Sequence, residues 1–170
     1  MNNIILIGMP GVGKSTVGVI LAKEAGLSFT DTDLVIQNNT GKLLKDIIAE
    51  AGVDGFLKVE EESILALDVN DSVIATGGSV VYSALAMEKL KKNGIVVYLK
   101  LPLDELKTCL DSLTNRGVVL RTGQNLEDLF IERTVLYEKY ADITVLETAQ
   151  TAEETMNEIL DRIKKLDNMR

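Results

Sequence analysis

Gly8-Met9-Pro10-Gly11-Val12-Gly13-Lys14-Ser15-Thr16 restricts the folds open to this chain more than any other stretch. The run satisfies G-x-x-x-x-G-K-[ST], the phosphate-binding P-loop, which requires a strand in front of it and a helix behind. Both are written in the sequence. Ile4-Ile5-Leu6-Ile7 predicts a buried strand, and Ser15 to Ala25 predicts a helix with Val17, Ile20 and Leu21 on one face and Gly26 as its stop. Glycines let backbone N–H groups wrap a phosphate, and the helix N-terminus adds partial positive charge. Lys14 is spaced to bridge β- and γ-phosphates, and the Ser15 hydroxyl to take one Mg²⁺ position. Gly11, Val12, Gly13, Lys14, Ser15 and Thr16 are therefore the expected nucleotide-binding residues, with ATP and Mg²⁺ as the expected ligands.

Around this motif, strand-like runs at Asn3–Gly8, Leu27–Thr30, Val73–Thr76, Ile95–Leu101 and Ile143–Leu146 alternate with helical patterns. The helices are expected near 14–25, 33–39, 42–52, 54–68, 83–93, 103–113, 125–139 and 151–166. That alternation predicts an α/β fold with a parallel sheet. At 170 residues, without repeats, low-complexity tracts or linkers, the chain reads as a single domain over 1–170. In such sheets ligands collect beyond the C-terminal strand ends. Three strands run into suggestive residues there: the P-loop, Asp31-Thr32-Asp33, and Thr76-Gly77-Gly78-Ser79.

Composition narrows the partners. A formal net charge of −8 argues against nucleic acid, whose phosphates need a basic surface. No apolar run approaches the ~20 residues of a membrane span. Met1-Asn2-Asn3 leads directly into the first strand, so no signal peptide and a cytoplasmic location are expected. With Cys109 as the one cysteine and no histidine, a general base must be a carboxylate, a lysine or bound water. The expected partner is a small molecule with a hydroxyl acceptor, bound by a monomer.

Asp31 and Asp33 flank Thr32 at a strand end, and alternation would turn both toward the phosphates. One carboxylate would hold the Mg²⁺ hydration shell while the other orients a hydroxyl acceptor; Asp33 also reads as the N-cap of the next helix. Gly77 and Gly78 would let backbone N–H groups come close to a ligand. Arg116 and Arg121 lie in an aperiodic stretch, Thr114 to Asn125, that suits a lid supplying a cation. Arg133 sits on an amphipathic helix with Leu126, Leu129 and Phe130, where a surface position is the ordinary reading.

Together these residues resemble the shikimate kinase family, small P-loop kinases related to the nucleoside monophosphate kinases. The resemblance spans nearly the whole chain and runs in order through Gly8–Thr16, Asp31-Thr32-Asp33, Thr40-Gly41, Phe56 with Glu60-Glu61, Ala75-Thr76-Gly77-Gly78, Arg133 to Tyr137, and Ala141-Asp142. It implies a P-loop NTPase three-layer sandwich, a five-stranded parallel sheet in order 2-3-1-4-5 with helices on both faces. It also implies a lid near 114–125 and an acceptor-binding region near 33–62. On this likeness the chain transfers phosphoryl from ATP to a hydroxyl of shikimate, giving shikimate 3-phosphate. Lys14, Asp33 and Arg116 would be catalytic, Arg116 also touching the nucleotide. Ser15 and Asp31 would serve the metal, and Asp33, Gly77, Gly78, Ser79 and Arg133 the acceptor.

Four positions depart from the family pattern. Leu57 stands where the family has an arginine that shares the acceptor's carboxylate, and Ser79 where it has a third glycine. Gly117 replaces a proline after Arg116, and an arginine that stacks on adenine has no counterpart near Cys109. Losing a guanidinium contact of this kind removes roughly 1.5–3 kcal/mol. Leu57 and Ser79 keep open a kinase for another small hydroxylated acceptor, and Leu57 with the missing adenine-side arginine keeps open a nucleotide-binding regulatory module with degraded catalysis.

Overall fold

The structure, a computed structural model, describes residues 3–108, 118–148 and 150–168. Its elements run β1 (Asn3–Ile7), α1 (Lys14–Ala25), β2 (Ser28–Asp31), α2 (Thr32–Thr40), α3 (Leu44–Ala66) and β3 (Ser72–Ala75). A single 3₁₀ turn over Val80–Tyr82 leads to α4 (Ala84–Lys92), β4 (Gly94–Lys100), α5 (Leu103–Thr108), α6 (Leu126–Tyr140), β5 (Ile143–Leu146) and α7 (Ala152–Asp167). All the strand pairings are parallel, in the order β2-β3-β1-β4-β5.

Strand periodicity sorts the core into two layers. Ile5 and Ile7 of β1, with Ile74, Val96 and Tyr98, face Ile64 of α3, Met87 and Leu90 of α4, and Leu129 and Tyr137 of α6. Ile4 and Leu6, with Val73, Val97 and Leu99, face Val17 and Leu21 of α1 and Met156 and Ile159 of α7. A sheet covered on both faces can be apolar throughout, which is why all five residues of β1 are buried. Each such aliphatic side chain contributes about 1.5–3 kcal/mol on burial. Both later helices begin in reciprocal caps: Asn125 with Asp128 on α6, and Thr151 with Glu154 on α7.

The two expected helices, 42–52 and 54–68, are both present within the α3 span and are parted at Gly52. Its φ of 71° and ψ of −178° belong to a region essentially reserved for glycine, so the chain turns without leaving the element. The break separates Leu44 and Ile47 from Phe56. All three pack with Ile36 and Val119 in a small third core beside the strand ends.

Candidate active site

The P-loop folds as its sequence requires. Gly13 takes a left-handed φ of 99° at the N-cap of α1, a conformation that side chains resist. Lys14 then turns back: its Nζ donates to the carbonyls of Gly8 at 2.8 Å and Met9 at 2.9 Å. Only 8% of the lysine is exposed. Burial pulls it down to about 8 against the attraction of Asp33, so its ammonium is poised to gain from an anionic phosphate.

Asp31 and Asp33 both line a cleft of about 150 Å³ over the P-loop, although strand alternation is not what puts them there. β2 ends at Asp31, and α2 begins at Thr32. Asp31, rather than Asp33, is the N-cap: its Oδ1 accepts from the N–H of Asp33 at 3.0 Å and of Leu34 at 3.4 Å. Its other oxygen, Oδ2, accepts from Ser15 Oγ at 2.7 Å. A hydroxyl and a carboxylate so joined are hard oxygen donors that suit Mg²⁺, which takes few protein ligands and the rest from phosphate and water. Asp33, free of capping, is pushed up to about 6 by burial first and by the Asp31 charge second, with Lys14 opposing.

The loop after β3 closes the far side. Thr76 Oγ1 donates to the carbonyl of Leu6, and Gly77 N–H donates to Thr32 Oγ1 at 3.2 Å. That N–H is therefore spent inside the protein, contrary to the expectation that it serves a ligand. What Gly77 supplies is space. A Cβ there would lie 2.5 Å from Glu60 Oε1 and 2.9 Å from Asp33 Oδ1. At Gly78 it would lie 2.8 Å from Pro10 and 2.9 Å from Arg133 Nη1. Tyr137 fixes this loop by donating from its hydroxyl to the Gly78 carbonyl at 2.6 Å.

Arg133 is no surface residue. It is 1% exposed and lines the cleft, in the buried series Leu129, Arg133, Tyr137, Tyr140. Its Nη2 donates to the carbonyl of Val119 at 3.0 Å, and its Nε to Tyr82 Oη at 3.4 Å, with the Tyr82 ring 5.3 Å away. Among the described residues no carboxylate forms an ion pair with it. A buried guanidinium with neutral partners is a site for an incoming anion.

Glu60 is the residue that sequence reasoning left without a role. It is 2% exposed and aimed into the cleft from α3, and its Oε2 accepts from Ser79 Oγ at 2.7 Å. Burial, reinforced by Asp33, pushes it up to about 7; the Ser79 hydrogen bond, Arg133 and Lys14 act the other way. A signal was present: Phe56, Glu60 and Ile64 fall at i−4, i and i+4, which puts an acid on an apolar stripe. Leu57 is half-buried beside a second cavity of about 160 Å³, shared with Lys58, Glu60, Ser79 and Tyr82. Arg116, Gly117 and Cys109 lie outside the described residues. From the expected lid, Val118 and Val119 line the cleft, whereas Arg121 is exposed and faces Asp54 at 3.7 Å.

This arrangement sets a phosphate cradle, a metal-suited hydroxyl–carboxylate pair, a poised carboxylate and a buried cation around one cleft. Known proteins resemble the chain over nearly its whole length. The shikimate kinase family model matches residues 10–164. Shikimate kinase of Clostridium botulinum (strain Eklund 17B / Type B) is 36% identical, the match covering 97% of this chain and 96% of the relative. The Thermodesulfovibrio yellowstonii shikimate kinase is 36% identical over 99% and 98%. A solved shikimate kinase from Acinetobacter baumannii, in complex with shikimate, superimposes with a TM-score of 0.88 at 35% identity, covering 97% of this chain and 94% of that one. With a full-length match in sequence and fold, the chain belongs to the shikimate kinase family.

Proposed function

We propose that this protein catalyses ATP-dependent phosphorylation of shikimate, transferring the γ-phosphoryl group to a hydroxyl and giving shikimate 3-phosphate and ADP. The observation that carries the reading is the pairing, across one cleft, of Asp33 beside the P-loop with the anion-seeking Arg133 opposite. A molecule with a carboxylate at one end and a hydroxyl at the other satisfies both.

In this mechanism Arg133 takes the carboxylate, fixed in direction by Val119 and the Tyr82 ring. The hydroxyl then meets Asp33, whose carboxylate orients it and accepts its proton as the oxygen bonds to phosphorus and the ADP oxygen leaves. Backbone N–H groups of Gly11 to Thr16 cradle the phosphates, and Lys14 exchanges its loop carbonyls for phosphate oxygens. Ser15 and Asp31 would hold Mg²⁺, which would supply positive charge against the phosphates. Ser79, Gly77 and Gly78 shape the acceptor wall.

Steady-state ADP release with ATP, Mg²⁺ and shikimate tests the reading. Turnover at about 1–100 s⁻¹ is expected. Background rates with shikimate, in protein that still binds nucleotide, would remove shikimate as the acceptor.

A further inference from the structure

The carboxyl of Glu60 has half of its hydrogen bonding met. Oε2 takes the one hydrogen that Ser79 offers, while Oε1 is buried and has no partner among the described residues. Oε1 borders the same Gly77 surface as Asp33 Oδ1, so it faces the acceptor cleft. On the helix of Glu60, Leu57, one turn earlier, is apolar; the exposed Lys58 and the Glu61 carboxyl border the other side of Glu60 in the second cavity, with Tyr82, and make no described hydrogen bond to it. Three charged groups act on it: Asp33 from α2, Lys14 from α1, and Arg133 from α6, whose described hydrogen bonds go to Val119 and Tyr82. A carboxylate this enclosed, with one hydrogen bond and another carboxylate beside it, is unfavourable. A protonated carboxyl is not, provided that its proton has somewhere to go.

We infer that Glu60 is a specificity-determining residue that works as a neutral carboxyl, with Ser79 fixing Oε2 as acceptor so that Oε1–H donates to an oxygen of the bound acceptor molecule. The inference rests on the shikimate reading and deepens it. As an anion, Glu60 would compete with the acceptor's carboxylate for the field of Arg133 and would repel it. As an acid it leaves that charge to the ligand and adds a donor. Its titration near 7 then places the change inside the working range: acceptor affinity is full on the acid side and falls as pH rises.

The test is the KM for shikimate measured from about pH 6.5 to about 8.5 at saturating ATP, in the wild type and in Glu60→Gln. The amide keeps the shape, accepts from Ser79 and donates toward the cleft, but does not titrate. Wild-type KM should rise about tenfold across that range, while the variant's KM starts within about threefold and stays flat relative to it. Asp33 and Lys14 titrate in both proteins, so the difference isolates Glu60. Ser79→Ala supplies an independent arm. Removing a hydrogen bond that favours the anion should move the rise in KM to higher pH. A tenfold weaker KM for Glu60→Gln on the acid side, a rise that persists in it, or an unmoved rise in Ser79→Ala would each overturn the inference while leaving the reaction intact. Absence of shikimate turnover in the wild type would overturn both.

Discussion

The donor and acceptor halves of the cleft are built in opposite ways. On the donor side, nine consecutive residues make the cradle, and Lys14 bonds to carbonyls five and six residues behind it. Asp31 contributes from a distance, reaching Ser15 from the end of β2, two strands away from β1 in the sheet. The acceptor side draws Glu60 from α3, Ser79 from the loop after β3, Arg133 from α6 and a carbonyl from Val119. The first is a local solution to holding phosphate and tolerates few replacements. The second is assembled from separate elements, so one member can change and its neighbours can answer, as Leu57 and Ser79 illustrate around Glu60.

The contrast breaks most visibly at Lys14. Lys14→Met removes a buried cation from the transferred phosphoryl group and should lower kcat about a thousandfold. The KM for shikimate should stay within about threefold, because the acceptor half is untouched. A large loss of shikimate affinity would join the two halves into one unit. Asp33→Asn comes next, since Asp33 stands at the seam. It should cut kcat about a hundredfold with little change in ATP affinity. The acid limb of the wild-type kcat/KM profile, expected near 6 because Asp33 must be ionised to accept the proton, should vanish with it. Unchanged turnover would free the carboxylate from any part in the reaction.

Arg133→Lys moves wholly to the acceptor side. Lysine keeps the charge but lacks the planar fork that meets both Val119 and a carboxylate, so the KM for shikimate should rise about thirtyfold with kcat nearly constant. A fall in kcat at unchanged KM would mean that the guanidinium acts on the phosphoryl group instead.

The same division explains what could be read from the chain. The sheet was legible because Ile4-Ile5-Leu6-Ile7 and its counterparts are apolar runs buried on both faces, and the P-loop because its geometry demands fixed residue types at fixed spacing. Gly52 was legible as well, as the break between two helices, because glycine readily takes the backbone conformation that parts them. That Asp31 and not Asp33 caps α2 was hidden by one residue of strand length, which decides whether pleat or helix sets their direction. Glu60 escaped for a deeper reason, and Arg133 was reached through the family resemblance, not through its place on the helix. A charged residue on a helix is by default solvated, and only the packing of α3 and α6 against the strand ends reveals that these two are enclosed. Their apolar neighbours at four-residue spacing carried the signal.

Leu57→Arg separates the two explanations of the acceptor half by the smallest effect. Leu57 is half-buried and packs against the third core, so replacing it should lower stability by about 1 kcal/mol. The second cavity beside Glu60 gives a longer side chain room, and a guanidinium one turn before Glu60 would pair with it as an anion. Affinity and stability then move in opposite directions, which a structural lesion alone would not produce. If the acceptor half lacks a cation, the KM for shikimate should fall about fivefold to tenfold, in keeping with one charge-assisted contact, and its dependence on pH should flatten because Glu60 no longer holds its proton. If the neutral Glu60–Ser79 pair is already the complete recognition device, the introduced charge displaces that donor and KM stays level or rises. The donor half predicts the same answer in both cases, an unchanged KM for ATP.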